Sequence, residues 1–185
     1  MSCDLISGRG ESCKSAVSGL HAVYMINFDD LDLPSTVTYG ATNDSDVITA
    51  IAGASTNLYK FDLKGNNSLE TSIISSRENG TTYFETALAI ELKRQDATTT
   101  KNVKLMAYGR PRIIVHARGD QWFLLGLDQG CDIESGSISS GSALGDFNGY
   151  KLNFKCEEEV MPNFIDVTTE AGLVTLMGGS VTVVS

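Results

Sequence analysis

The stretch LETSIISSRENGTTYFETALAIELKR, residues 69–94, decides the fold. In its second half Leu88, Ile90 and Leu92 alternate with Ala89, Glu91 and Lys93, the period of two that marks a strand with one buried face. In its first half Ile73 and Ile74 sit among Ser and Thr. Between them lies Arg77-Glu78-Asn79-Gly80, whose Asn-Gly supplies the positive φ of a tight hairpin turn. The reading is a long β-hairpin with arms at 69–77 and 81–94, and nothing in it looks like an active site.

Strand patterns continue on both sides. Leu20 to Phe28 (LHAVYMINF) is apolar, aromatic and β-branched, and Asp29-Asp30 ends it. Thr36 to Tyr39 and Val47 to Ile51 are short strand candidates; the Asn43-Asp44-Ser45-Asp46 turn cluster precedes the second, and Gly53 closes it. In Leu58 to Lys64 the odd-numbered Tyr59, Phe61 and Leu63 form the apolar set. Arg112 to Ala117 and Gln121 to Leu127 form a second hairpin through Arg118-Gly119-Asp120. Asp132 to Ser139 and Asn148 to Glu157 are two more strands around a Gly-rich loop, and Tyr150, Leu152, Phe154 and Cys156 share one face of the second. Asn163 to Asp166 is a last contact with the core.

One helix is predicted after Asp96. Asp96 or a following threonine caps it. Val103, Met106 and Ala107 share a face with Leu105 beside them, Gly109 suits a left-handed end, and Pro111 stops continuation. Leu173 to Met177 and Val181 to Ser185 read as β-prone, separated by Gly178-Gly179, and pair either with their own sheet or with a neighbour's edge. The organisation is an arm (1–19), a β domain (20–166) and a β-prone C-terminal extension (167–185).

A chain of 185 residues with 42% hydrophobic content builds one core. No run approaches the ~18 apolar residues of a membrane span. The N-terminus lacks the order of a secretory signal, so a soluble protein of a reducing compartment is expected. Net charge of −9 disfavours a wrapped nucleic-acid complex, whose affinity comes from cations on phosphates. Cys3, Cys13, Cys131 and Cys156 are too widely spaced for a zinc motif and read as mostly buried thiols.

Residue types with chemistry are present, but not in catalytic patterns. His21 and His116 have no nucleophile–base motif around them. The acidic groups Asp29-Asp30, Asp44 with Asp46, and Glu157-Glu158-Glu159 lack the calcium-loop pattern and read as solvated strand ends. Gly136 to Gly141 lacks the Lys-Ser/Thr of a phosphate loop, and Arg118-Gly119-Asp120 reads as a turn. Trp122 reads as core or interface. No catalytic, cofactor-binding or metal-binding residue is expected, and no enzyme.

Four segments carry a resemblance: CDLISGRGESCKSAVSGLHAVYMINF, YKFDLKGNNSLETSIISSRENGTTYFETALAIELKR, KLMAYGRPRIIVHARGDQWFLLGL and GCDIESGSISSGSALGDFNGYKLNF. Together, across about residues 3–166, they resemble the tail tube and tail-tube-like structural proteins of tailed bacteriophages. The resemblance implies a mainly β fold: an antiparallel β-sandwich or barrel with a long hairpin and one flanking α-helix. It implies six copies in a ring, inner strands joined into a barrel, and rings stacked into a tube for DNA ejection. Such stacking uses a heterologous interface, and ring closure removes exposed strand edges. The implied partners are further copies of the chain and other tail proteins such as sheath, terminator or baseplate, with DNA passing transiently through an acidic lumen and no membrane. The implied location is the virion tail, after assembly in the host cytoplasm. The hairpin residues Ser75, Ser76, Arg77, Glu78, Asn79, Gly80, Thr81 and Thr82 become the expected assembly element. A head–tail connector, tail terminator or ring adaptor is the alternative in the same virion, and a monomeric β-sandwich binding module is the alternative outside it.

Overall fold

A computed structural model describes residues 8–11, 13, 14, 16–41, 46–52, 57–178 and 180–185. Cys3, Gly53, Gly179 and the Asn43-Asp44-Ser45 part of the expected turn lie outside them. In chain order the strands are β1 (Leu20–Ile26), β2 (Val37–Tyr39), β3 (Val47–Ile51), β4 (Asn57–Asp62), β5 (Ser68–Ser76), β6 (Thr81–Lys93), β7 (Arg112–Ala117), β8 (Trp122–Leu125), β9 (Asp132–Ser139), β10 (Gly149–Glu158), β11 (Asn163–Ile165) and β12 (Thr182–Val184). Helix α1 (Ala97–Tyr108) follows β6, and α2 (Glu170–Leu176) follows β11.

β1 explains the layering. Its LHAVYMI run does not alternate because both faces are covered. Ala22, Tyr24 and Ile26 enter one core with Leu58, Ile114, Trp122 and Leu124, closed by Leu31, Leu33, Leu173 and Met177. Val23 and Met25 enter a second core with Ile113, Val115 and Leu125, closed by Leu88, Ile90, Tyr150, Leu152 and Phe154. The large sheet has eight strands in the order β12-β4-β1-β7-β8-β11-β3-β2. The small sheet, β5-β6-β10-β9, packs over its second-core face. The fold is therefore mainly β, two packed sheets with two helices. Most pairs are antiparallel, but β11–β3 and β12–β4 are parallel.

Several expectations change. Leu58 is buried in the first core while Tyr59 and Phe61 pack on the second, so β4 presents apolar groups on both faces. Asp96 caps α1, accepting from Thr99 N at 2.7 Å. Gly109 ends the helix at φ −100° and not in the left-handed region, its N–H bonding Leu105 O. On α1 Val103 is buried and Met106 half-buried, whereas Leu105 and Ala107 are exposed. A second helix occupies part of the segment read as β-prone. Thr169 Oγ1 caps it by accepting from Gly172 N, and Leu173 and Met177 are buried one turn apart. β12 then pairs with its own sheet, along β4. Cys131 and Cys156 are not thiols: they form a disulfide inside the second core, brought together by β9 and β10 from a separation of 25 residues. No helix among the described residues is long and apolar enough to cross a membrane.

Candidate functional site

The hairpin folds as its sequence directs. β5 and β6 pair from Ser68↔Ala89 to Ser76↔Thr81, leaving Arg77 to Gly80 as a four-residue loop. Of the loop residues only Gly80 has positive φ, at 64°, so one glycine supplies the left-handed step. Asn79 N donates to Ser76 Oγ at 3.3 Å. Cross-strand hydroxyl pairs hold the arms: Thr71 to Thr86 at 3.0 Å and Ser75 to Thr82 at 2.9 Å.

Burial divides the hairpin in two. Directly opposed residues share a face, so Leu69, Thr71, Ile73 and Ser75 lie with Leu88, Thr86, Phe84 and Thr82 on the inner side. Leu88 and Thr86 are buried; past them Phe84 is half-buried, and Thr82 and Ser75 are exposed. Ile73 is 65% exposed. Five residue pairs, Ser72↔Glu85 to Ser76↔Thr81, thus overhang the second core, about 16 Å of ribbon at ~3.3 Å per residue. Ser75, Arg77, Glu78, Asn79, Gly80, Thr81 and Thr82 are exposed and Ser76 half-buried, all brought together at one end of the molecule.

The small sheet ends at β5 on one side and β9 on the other, and no described strand pairs with either outer edge. Each edge presents unpaired backbone donors and acceptors, a template for another strand. The β9 edge is a feature the sequence reading did not single out. Its signal was present in DIESGSIS: Ser135, Ser137 and Ser139 fall outward, while Ile133 and Ile138 fall inward. Ile138 is nevertheless 55% exposed.

The outer face of this sheet is mostly polar, with Ile74 and Tyr83 exposed on it toward the hairpin tip. It carries Glu70, Glu85, Glu91, Glu157 and Asp132 against Lys93, Lys151 and Lys155. Lys151 Nζ sits 3.1 Å from Glu91, and Lys155 Nζ sits 2.9 Å from Glu157 and 3.0 Å from Glu85. Hydrogen bonds to Glu157 and Glu85 hold the Lys155 ammonium above its ordinary value. Lys151 and Lys155 are engaged while Lys93 makes no ion pair with any described residue, and with five carboxylates against three lysines the surplus charge of the face is negative.

The other sequence-marked groups are structural. Trp122 is buried and stacks on His116 with ring centroids 4.0 Å apart; His21 lies 5.1 Å from His116. Asp120 takes positive φ at 55° in the turn after Gly119, and Arg118 N bonds Gly19 O. Arg112 is buried and donates to the carbonyls of Phe28, Leu31 and Leu33, fastening the loop after β1. Glu158 accepts from Asp128 N at 3.1 Å and Gln129 N at 2.9 Å; burial raises its carboxyl above the usual range, and those bonds pull it back. Gly136 lies inside β9 against Leu152. Asp146 caps the 140–149 loop, and the N–H groups of Ala143 and Ser142 hold its carboxyl below the usual range. No cluster of three or more metal-ligating side chains occurs among the described residues. No family model matches the chain, and no curated protein or solved structure matches it.

Proposed function

We propose that this chain is a virion structural protein, a tail tube subunit that assembles into stacked hexameric rings around a channel for DNA ejection. The observation that carries the reading is the small sheet: buried on one face, mostly polar on the other, open at both lateral edges. Pairing β5 of one copy with β9 of the next extends the small sheet sideways, and closing it into a ring removes both open edges of that sheet. The polar outer face then lines the channel. Of its three lysines Lys151 and Lys155 are held by Glu85, Glu91 and Glu157, which leaves Lys93 at one end as the unpaired one among the described residues, and the face's net negative charge repels the DNA backbone. The role is architectural and not catalytic.

Negative-stain microscopy with light scattering on the purified chain tests this. Rings or tubes are the expected result. A stable monomer at high concentration overturns the reading and favours a binding module. Rings that never stack under any solution condition point to a connector, terminator or adaptor.

A further inference from the structure

The chain is electrically lopsided along its strand axis. β1 and β7 place Leu20 beside Ala117 at one end and Ile26 beside Arg112 at the other. The small sheet aligns with them. Leu63, two residues before Gly65, donates to His21 O, and Lys93 Cε lies 3.6 Å from where a Cβ at Gly65 would sit. At the opposite end Cys131 N bonds Pro111 O, and the disulfide ties Cys131 to Cys156 opposite Thr86. The overhanging hairpin tip continues beyond that second end.

The first end holds an open cleft of about 650 Å³ lined by His21, Lys60, Asp62, Lys64, His116, Arg118 and Asp120. Lys60 is already engaged by Glu170 at 2.8 Å. Lys64, Lys93, Arg94 and Arg118 make no ion pair with any described residue, and all four are exposed. They sit together in a molecule whose net charge is −9. The second end holds Glu78 in the hairpin loop, Glu134 on β9 and Glu159 just past β10, and these make no ion pair with any described residue either; Arg77, beside Glu78 in the loop, is likewise unpaired, so the three carboxylates outnumber it. An excess of unpaired cations at one end, with Asp120 among them, and an excess of unpaired carboxylates at the other, with Arg77 among them, are complementary only between two molecules in the same orientation.

We propose that the cleft bearing His21, Lys64 and Arg118, with Lys93 and Arg94 at its rim, receives the acidic hairpin end of a second copy of this chain. The contact is heterologous, so it repeats along the strand axis and sets a polarity. This deepens the tube reading and rests on it: lateral edge pairing closes each ring, and the charge pairing joins one ring to the next. Both faces are solvent-exposed, so the contact is screened by salt.

Charge reversal tests it, at exposed positions that no described ion pair uses. One variant carries Lys64→Glu and Lys93→Glu; the other carries Glu78→Lys and Glu159→Lys. At about 0.05 M NaCl the wild type forms tubes, each variant alone forms only rings, and mixed rings of the two variants stack alternately. Near 1 M salt, where the screening length falls to about 3 Å, wild-type tubes shorten at least about tenfold while rings persist. Circular dichroism confirms that each variant is folded. Tubes indifferent to salt, a variant that stacks alone like the wild type, or variants that fail to co-assemble would each overturn the inference and leave the ring reading standing. A wild type that is monomeric at every salt concentration overturns the tube reading itself.

Discussion

His116 shows how a residue with chemical potential is used for packing. Its ring lies against Trp122 at 4.0 Å, and Asp120 approaches Nε2 only to 3.9 Å. Burial pushes the imidazole below its ordinary value, His21 and Lys60 add to that, and Asp120 opposes it. The folded chain therefore takes up this proton less readily than the unfolded chain. The resulting stability is complete above the unfolded value of about 6.5 and is lost as pH falls through the folded value. Half-buried Glu158, raised above the usual carboxyl range, has the opposite sign: protonation favours its folded form. The expected outcome is therefore a difference: urea titrations of the wild type and His116→Phe should converge as pH falls from about 7 to about 5. A stability gap that ignores pH would show that the imidazole is not held neutral. At this scale the sequence was partly legible. Asn79-Gly80 located the loop, but the number of positive-φ residues depended on where pairing stopped, at Ser76↔Thr81. Cys131 and Cys156 gave no spacing signal, because the β9–β10 register brings them together.

At the scale of elements, alternation was the dependable signal. β6 and β10, each with one buried face, were readable residue by residue. Patterns failed where burial was two-sided or where a short segment's preference was overruled. Leu173-Val174-Thr175-Leu176 has β-prone residues, yet it forms α2. Thr169 caps it, and Glu170 is clasped by Lys60 Nζ at 2.8 Å and Tyr24 Oη at 2.7 Å. Those two partners also hold the Glu170 carboxyl below the usual range. The readable clue was Leu173 with Met177, four residues apart and both fully buried. Leu173, Met177 and Val181, with Val174, Leu176 and Val183 packed beside them, thus form a wall of the first core. Leu173→Ala should cost about 2–5 kcal/mol of unfolding free energy, the usual range for a fully buried leucine. Guanidinium denaturation measures it, and a loss below about 1 kcal/mol would mean that α2 only rests on the sheet.

At the scale of the molecule, the proposed assembly uses two perpendicular directions of one small sheet. Hydrogen-bonding edges at β5 and β9 point sideways, while the overhang past Thr86 points along the strands. The sequence showed the long hairpin and the alternation of β9 but not which edges stay open or how far the tip projects, since an edge is defined by what fails to pair and an overhang by where the opposing sheet ends. Excising residues 75–82 and joining the arms separates the two. The cut lies beyond the last buried pair position, Thr71↔Thr86, so both cores keep their side chains and the subunit should stay folded. It removes Arg77 and Glu78 but leaves most of β5 and all of β9. If the hairpin tip joins rings, the shortened chain should still close rings, and tubes should be absent from micrographs at low salt. If the tip instead braces the neighbouring subunit, rings should be lost as well, and light scattering should report monomers. Tubes as long as those of the intact chain would remove the hairpin tip from assembly altogether, leaving the β5 and β9 edges to account for association alone.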